Sequence, residues 1–303
     1  MGAVQTIVVV AVAYVALGAL SAFFAYSNQD AWGVWLTSGL GLGLLLGRAR
    51  SDWMPVLAGA FAGAMMFEPL VGSTLSEALG FALIEVVVTL VGGAVAAQIS
   101  PPPLRFAAPR DVGAIIAGAF ALALTGAVLV GLWDYFTGAP DTWRTFGVWL
   151  LGNFVAMLLI APVIASWAQF RLQRPDTATL LLFVGGAVAC ALFLLCIHAL
   201  FSAGTGARFL QAFGAGRTYL PFVFFALIAL LWGARGATLA ALVSALVAIT
   251  QTVRGFGPFA GGDGFFDDPV LNAQGYAVAL SIAGLLLVTV LERRRVAKAQ
   301  TGT

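Results

Sequence analysis

The residue best placed to carry chemistry in this sequence is Glu85, an acid inside an apolar stretch. Phe81 to Ile84 precede it and Val86 to Val88 follow it, so its carboxyl group lies among hydrocarbon side chains. A carboxylate at membrane depth must be protonated, paired or hydrated to be tolerated. Two interpretations stay open: Glu85 binds a ligand or a proton, or it forms a protonated structural hydrogen bond between helices.

Few other side chains offer reactive groups. Asn153, four residues after Trp149 in an apolar stretch, carries an amide that can bridge helices, and we favour this packing role. His198 is the only histidine, and Cys190 and Cys196 share one apolar stretch, so we expect neither a metal site nor a disulfide framework. Because no Ser/His, Cys/His or paired-carboxylate constellation is visible, we expect no catalytic residue, no cofactor and no enzyme activity.

The elements that position these residues are membrane helices. Of 303 residues, 61% are hydrophobic and 9% are charged, against ~25% charged in a soluble domain, which excludes a water-soluble globule. The net charge of +2, with scattered basic residues, also excludes a nucleic-acid-binding surface. Because one crossing takes ~20 residues, we predict an all-α, polytopic integral membrane helical bundle with about ten apolar segments and eight to ten crossings. These segments are approximately 4–26, 34–47, 53–67, 76–97, 112–133, 146–169, 179–200, 218–232, 236–253 and 270–291.

The first apolar segment, 4–26, is either a cleaved signal peptide or a retained membrane span. The first segment lacks a basic region before it and a small-residue cleavage site after it, so we expect a retained span.

Segments 34–47 and 53–67 are short and could form a re-entrant hairpin. Because the charged link from Arg48 to Asp52 would then lie at membrane depth, we favour two short or tilted crossings.

The basic residues predict the orientation. Cytoplasmic loops of membrane proteins are enriched in Lys and Arg, and a cytoplasmic N-terminus places 11 of the 15 basic residues inside. We therefore expect both termini in the cytoplasm. The inside set is Arg48, Arg50, Arg105, Arg110, Arg171, Arg174, Arg235, Arg293, Arg294, Arg295 and Lys298, and the outside set is Arg144, Arg208, Arg217 and Arg254.

Glycines recur at spacings of four, at Gly39, Gly43 and Gly47 and again at Gly59 and Gly63. Such spacing lets helix backbones approach closely. We favour close packing within the bundle, and self-association as a homodimer is the alternative.

Five local patterns, in order, resemble the bacterial membrane-associated sensor domain of the first type, the MASE-one family. One departure concerns Asn153, which stands where the family usually has an aspartate, so a mechanism that uses this charge, such as proton or cation sensing, lacks that group here. The patterns are Trp35-Leu-Thr-Ser-Gly39 with Leu44-Leu-Leu-Gly47, Trp53-Met-Pro55 and Gly59; Glu85; Trp149 to Asn153 with Ala161-Pro162; Leu220-Pro221 with Gly233-Ala-Arg-Gly236, Ala248-Ile-Thr-Gln-Thr252 and Gly255-Phe-Gly-Pro-Phe259; and Glu292-Arg293-Arg294.

The resemblance implies a sensory input domain of bacterial signal transduction in the inner (plasma) membrane. Such a domain would sense an unknown small molecule or membrane partner and relay it through the last span to a cytoplasmic output. The implied partners are the lipid bilayer and a histidine kinase or diguanylate cyclase output, with no nucleic acid. Since the 303 residues contain no such output domain, we expect a stand-alone member or part of a longer protein.

We expect one transmembrane sensor-like domain over residues 1–292 and a short basic cytoplasmic tail over 293–303. The alternative function is a small-solute transporter or permease-like carrier, because short helices with Gly/Pro interruptions are typical of midplane binding sites. The ligand-binding candidates are the motif residues nearest the buried polar positions, namely Trp35, Ser38, Glu85, Trp149, Asn153, Pro221 and Arg235.

Overall fold

The described part of the chain is all-α. A computed structural model describes residues 2–24, 34–104, 106, 108–138, 142–168, 177–202, 219–261 and 268–301, and within them it contains helices and no strand. Eight of these helices are long and apolar enough to cross a membrane, which confirms the predicted polytopic helical bundle. Among the basic residues used to predict orientation, Arg105, Arg171, Arg174, Arg208 and Arg217 lie outside the described residues.

The helices belong to two compact units. Unit 1 comprises Met1–Arg105 and Gly113–Ala165, and unit 2 comprises Phe106–Val112 and Ser166–Thr303. Unit 1 contains α1 (Ala3–Phe24), α2 (Leu36–Leu46), α3 (Trp53–Phe67), α4 (Leu75–Ile99), most of α5 (Pro109–Thr137) and most of α6 (Thr142–Trp167). Unit 2 contains α7 (Thr177–Phe201), α8 (Leu220–Val253) and α9 (Pro269–Thr301).

Two glycines let α3 lie directly against α1. A Cβ atom on Gly59 would lie 2.8 Å from the backbone oxygen of Ile7 and would also meet Val10. A Cβ atom on Gly63 would meet the Cβ atom of Tyr14. Only a residue without a side chain permits this approach, so the structure confirms the packing interpretation of this glycine pair within the bundle.

The α2 helix is short and almost entirely enclosed by protein. Its 11 residues extend about 16 Å at 1.5 Å per residue, roughly half of the ~30 Å hydrocarbon layer. This helix is therefore too short for a complete crossing, whereas Arg50–Val71, which includes α3, is long enough. Gly39 and Gly43 allow α2 to contact α6 at Ala156 and Ala161, and this enclosure makes a half-length helix tolerable at membrane depth.

The start of α4 is fixed by a capping box. Thr74 Oγ1 accepts a hydrogen bond from the backbone N–H of Glu77 (3.3 Å), and Glu77 Oε2 accepts one from the N–H of Thr74 (2.7 Å). The two side chains satisfy N–H groups that the helix itself leaves unpaired. From this start, the helical period of three and four residues turns Ala78, Ala82 and Glu85 to the interior.

In unit 2, α8 is broken at Gly233. Its dihedral angles are φ 64° and ψ −149°, a region that essentially only glycine adopts. The bend brings Gly236 close to Ile228, whose carbonyl oxygen would lie 3.4 Å from a Cβ atom on Gly236. The break falls between the predicted apolar segments 218–232 and 236–253, and α7 and α9 both pack against α8.

The contact between α1 and α3 yields a stability prediction. Gly59→Ala should lower the free energy of unfolding by about 1–3 kcal/mol, because the added methyl group forces the two backbones apart. Gly147→Ala in α6 is the matched control, since a Cβ atom there meets nothing within 4 Å and alanine favours the helix. Thermal unfolding in mild detergent measures both changes, and equal stability of the two variants would contradict the assigned contact.

Candidate functional site

A small polar cavity lies inside unit 1. Its volume is about 20 Å³, which is room for one or two water molecules. Five of the seven predicted binding residues line it, and the structure adds Tyr14, Glu68 and Phe81, with apolar atoms of α4 and α5 completing the wall. The five predicted residues are Trp35, Ser38, Glu85, Trp149 and Asn153.

Glu85 is the acid that the sequence places inside an apolar stretch. Its side chain is 6% exposed and lines the cavity from the third turn of α4. Thr89, one turn further along, donates its hydroxyl to Glu85 Oε1 at 3.4 Å, which is a long hydrogen bond. The carboxyl group therefore receives little compensation from its own helix.

Ser38 and Asn153 connect α2 to α6 across the cavity. Ser38 Oγ donates to Asn153 Oδ1 at 2.6 Å, and Asn153 Nδ2 donates to the carbonyl oxygen of Trp149 at 2.8 Å. These bonds confirm that the Asn153 amide bridges neighbouring helices. They also fix the amide with its oxygen toward α2.

Glu68 is the site residue that sequence reasoning missed. Its position between the predicted apolar segments 53–67 and 76–97 indicates a loop residue outside the membrane, but its side chain is 8% exposed and lines the cavity. It lies in the short 3-10 segment Glu68–Val71 after α3, where Ser73 Oγ donates to Glu68 Oε2 at 2.7 Å. An acid at the C-terminal end of a helix is disfavoured by the helix dipole, and this misplaced charge was the signal available in the sequence.

Aromatic rings form much of the remaining wall. Phe81 of α4 stacks on Trp149 of α6, with ring centroids 6.2 Å apart and an interplanar angle of 6°. Trp35 packs edge-on against Phe67 at 5.7 Å, and Tyr14 of α1 is buried at the same cavity. These contacts pack the rings around the polar groups of the cavity.

The charged side chains that line the cavity are the acids Glu68 and Glu85. Among the described residues that line it, none is basic. The arrangement can hold a proton, water or a small cation, and it offers no nucleophile with an adjacent base. No group of three or more His, Cys, Asp or Glu side chains that could hold a metal ion occurs within the described ranges.

The other two predicted binding residues lie in unit 2 and are not among the residues lining the cavity. Pro221 occupies the first turn of α8, a position where proline fits because the N–H it lacks would be unpaired there. Arg235 follows the break at Gly233 and donates from Nε to the backbone oxygen of Ser166 at 3.2 Å. Ser166 Oγ also lies 3.2 Å from Thr238 Oγ1. Arg235 thus ties α8 to the end of α6.

Comparison with known families identifies the chain. The family model of MASE1 matches residues 4–295, nearly the whole length. The chain belongs to the MASE1 family. MASE1 is a family of membrane-embedded, non-catalytic sensory domains that are commonly linked to cytoplasmic signalling domains. No curated protein and no solved structure shows significant similarity to it.

The bridge between α2 and α6 of this MASE1 chain gives a quantitative prediction. In a double-mutant cycle of Ser38→Ala and Asn153→Ala, the unfolding free energies should show a coupling of about 1 kcal/mol, the size found for hydrogen bonds between membrane helices. Thr125→Ala with Asn153→Ala is the control cycle. The Thr125 hydroxyl bonds within its own helix, to the oxygen of Ala121, so this second pair should be additive. Equal coupling in both cycles would contradict the bridge.

Proposed function

We propose that this MASE1 chain is a sensory input domain whose stimulus acts at the cavity of unit 1. The observation that supports this most directly is the convergence of five predicted motif residues on one buried polar cavity. An ionisable group inside the membrane is costly and is usually retained for function. The stimulus in this proposal is a small solute or a membrane partner that changes the balance of charge at Glu85.

We further propose a relay through α6, α8 and α9. The α6 helix contributes to both units, with Asn153 in unit 1 and Ser166 in unit 2. Arg235 and Thr238 of α8 contact Ser166, and α9 packs on α8. In this proposal a shift of α6 at the cavity reaches α9 through packed and hydrogen-bonded side chains, which can carry energetic coupling between sites.

The length of α9 would allow it to connect the membrane bundle to a cytoplasmic signalling domain. Its apolar part ends at Leu291, and the helix continues to Thr301, which adds about 15 Å at 1.5 Å per residue. A continuous helix transmits rotation or translation better than a flexible linker. We propose that residues 1–292 act as one sensor domain, that 293–303 form a basic segment at the cytoplasmic surface, and that a histidine kinase or diguanylate cyclase receives the signal.

The charge distribution supports a location in the bacterial inner membrane with both termini in the cytoplasm. With the N-terminus inside, 11 of the 15 basic residues face the cytoplasm, as the positive-inside rule requires. Cysteine accessibility at the two termini in intact cells and in inverted vesicles tests this orientation.

The sensory role of Glu85 is tested by ligand-dependent thermal stabilisation. We expect that a stimulus identified by screening small solutes against the full chain in nanodiscs raises the melting temperature of the unchanged protein. Glu85→Gln should abolish this rise while the variant inserts and folds normally. Glu77→Gln is the matched control, because it makes the same substitution on the exposed first turn of α4 and glutamine preserves the capping box.

Two results would contradict this proposal. One is equal stabilisation of all three proteins by every solute that binds. The other is a solute that binds to Glu85→Gln and to the unchanged chain with the same affinity.

A transporter is the second candidate, because α8 is broken at Gly233 and α2 is about half of a membrane span. Interrupted helices of this kind form binding sites in secondary transporters. Uptake of the stabilising solute into proteoliposomes that contain only this chain distinguishes the two functions. We expect no accumulation above that of empty liposomes, and accumulation that depends on Glu85 would establish the transporter instead.

A further inference from the structure

We propose that the turn between α2 and α3 binds the phosphate group of an anionic phospholipid through Arg48 and Arg50. The turn comprises residues 47–52 and lies at the opposite end of α2 from Ser38, which lines the cavity. The inference therefore does not depend on the proposed function. It adds to unit 1 a second binding surface, whose partner is a lipid headgroup.

The first argument is the position of the turn. The span Arg50–Val71 is long and apolar enough to cross a membrane, so the turn at its start lies at a membrane surface, where Trp and Arg side chains are favoured. The indole Nε1 of Trp53 donates to the carbonyl oxygen of Leu45 at 2.9 Å. The backbone N–H of Leu104 donates to the oxygen of Leu46 at 2.9 Å. These bonds fix the turn against the end of α2.

The second argument is that the two guanidinium groups of the turn contact neutral partners. Arg48 is half-buried, and its Nη1 donates to the hydroxyl of Thr6 on α1 at 3.4 Å, which is a long hydrogen bond. The guanidinium carbon of Arg50 lies 5.8 Å from the centroid of the Trp53 ring, within the range of cation–π attraction. Within the described part of the chain, neither arginine forms an ion pair. Each therefore keeps N–H donors for a further ligand.

The third argument is the charge of the turn. Besides its two arginines the turn contains Asp52, whose Oδ1 accepts a hydrogen bond from Ser51 Oγ at 3.3 Å. Two arginines and one aspartate give residues 47–52 a net charge of +1, which the single negative charge of a phosphodiester neutralises. The planar fork of arginine forms paired hydrogen bonds with phosphate oxygens. A zwitterionic headgroup adds an ammonium group that the turn repels, so an anionic headgroup fits better.

Apolar side chains beside the turn favour a lipid over a free phosphate ion. Val4 on the first turn of α1 and Met54 on the first turn of α3 are each 73% exposed. They lie one or two positions from Thr6 and Trp53, the residues that the two arginines contact. The cationic groups therefore adjoin apolar surface on which acyl chains can pack. Basic pockets of this kind at the ends of membrane helices bind anionic headgroups.

The test measures the melting temperature of the delipidated full chain in dodecyl maltoside against added ligand. Phosphatidylglycerol, phosphatidylcholine with the same acyl chains, and inorganic phosphate are titrated separately at constant ionic strength. We expect phosphatidylglycerol to raise the melting temperature with a saturable dependence, because binding to the folded state alone stabilises it. Phosphatidylcholine should need a concentration at least about tenfold higher. Inorganic phosphate should cause no shift, since it lacks acyl chains.

Matched variants locate the bound lipid. The double variant Arg48→Gln/Arg50→Gln should raise the half-saturating concentration of phosphatidylglycerol at least about tenfold, because it removes both charge-assisted contacts to the phosphate. Arg254→Gln is the matched control, since this exposed arginine follows α8 in unit 2, and it should leave the concentration unchanged. Arg50 is exposed, so Arg50→Gln alone keeps the proposal testable if the double variant does not fold. It should raise the concentration at least about threefold.

Three outcomes overturn the proposal. Equal responses to phosphatidylglycerol and phosphatidylcholine mean that the turn does not recognise the charge of the headgroup. A full response to inorganic phosphate means that the turn takes a free anion and not a lipid. An equal lipid response of the unchanged chain and the arginine variants means that the lipid binds elsewhere. Each of these results leaves the proposed function at Glu85 to its own test.

Discussion

Two carboxyl groups buried in an apolar bundle, without a basic partner among the described residues that line their cavity, are the constraint on which the rest of unit 1 depends. Hydrocarbon cannot solvate Glu85 or Glu68, so the protein itself must provide the polar surroundings. Ser38, Asn153 and Tyr14, which lie on three different helices, bring polar groups to the same cavity. The capping box at Thr74 fixes where α4 begins, and Glu85 lies on the face of this helix that is buried in the interior.

Close helix packing makes these surroundings possible. The polar side chains of α2 reach the cavity only because Gly39 and Gly43 bring its backbone against α6, and α1 reaches it because Gly59 and Gly63 accept Val10 and Tyr14. Small residues thus have a double effect. They supply the van der Waals contact that holds membrane helices together, and they bring polar groups on separate helices within hydrogen-bonding distance.

The proposed relay would begin at the cavity of unit 1 and end at α9 in unit 2. Glu85 lies in unit 1, while the helix that continues past the membrane span, α9, lies in unit 2. The α6 helix belongs to both, and Arg235 of α8 bonds to its end. In the proposed relay, a change of charge at the cavity would alter the α2 to α6 bridge first, and α6, which contributes residues to both units, would carry the change.

Sequence patterns were enough to predict the membrane environment, the all-α class, the approximate set of spans and five of the cavity residues. These follow from local properties: hydropathy over ~20 residues, one acid among hydrocarbon side chains, and glycine spacings that repeat each helical turn. The tertiary structure alone decided that Glu68 turns into the cavity, that α2 is half a span enclosed by protein, and that Pro221 and Arg235 belong to unit 2. Each of these depends on which helices lie side by side. That arrangement arises from contacts between residues far apart in the chain, such as Ser38 with Asn153, and no local pattern encodes the distance between them.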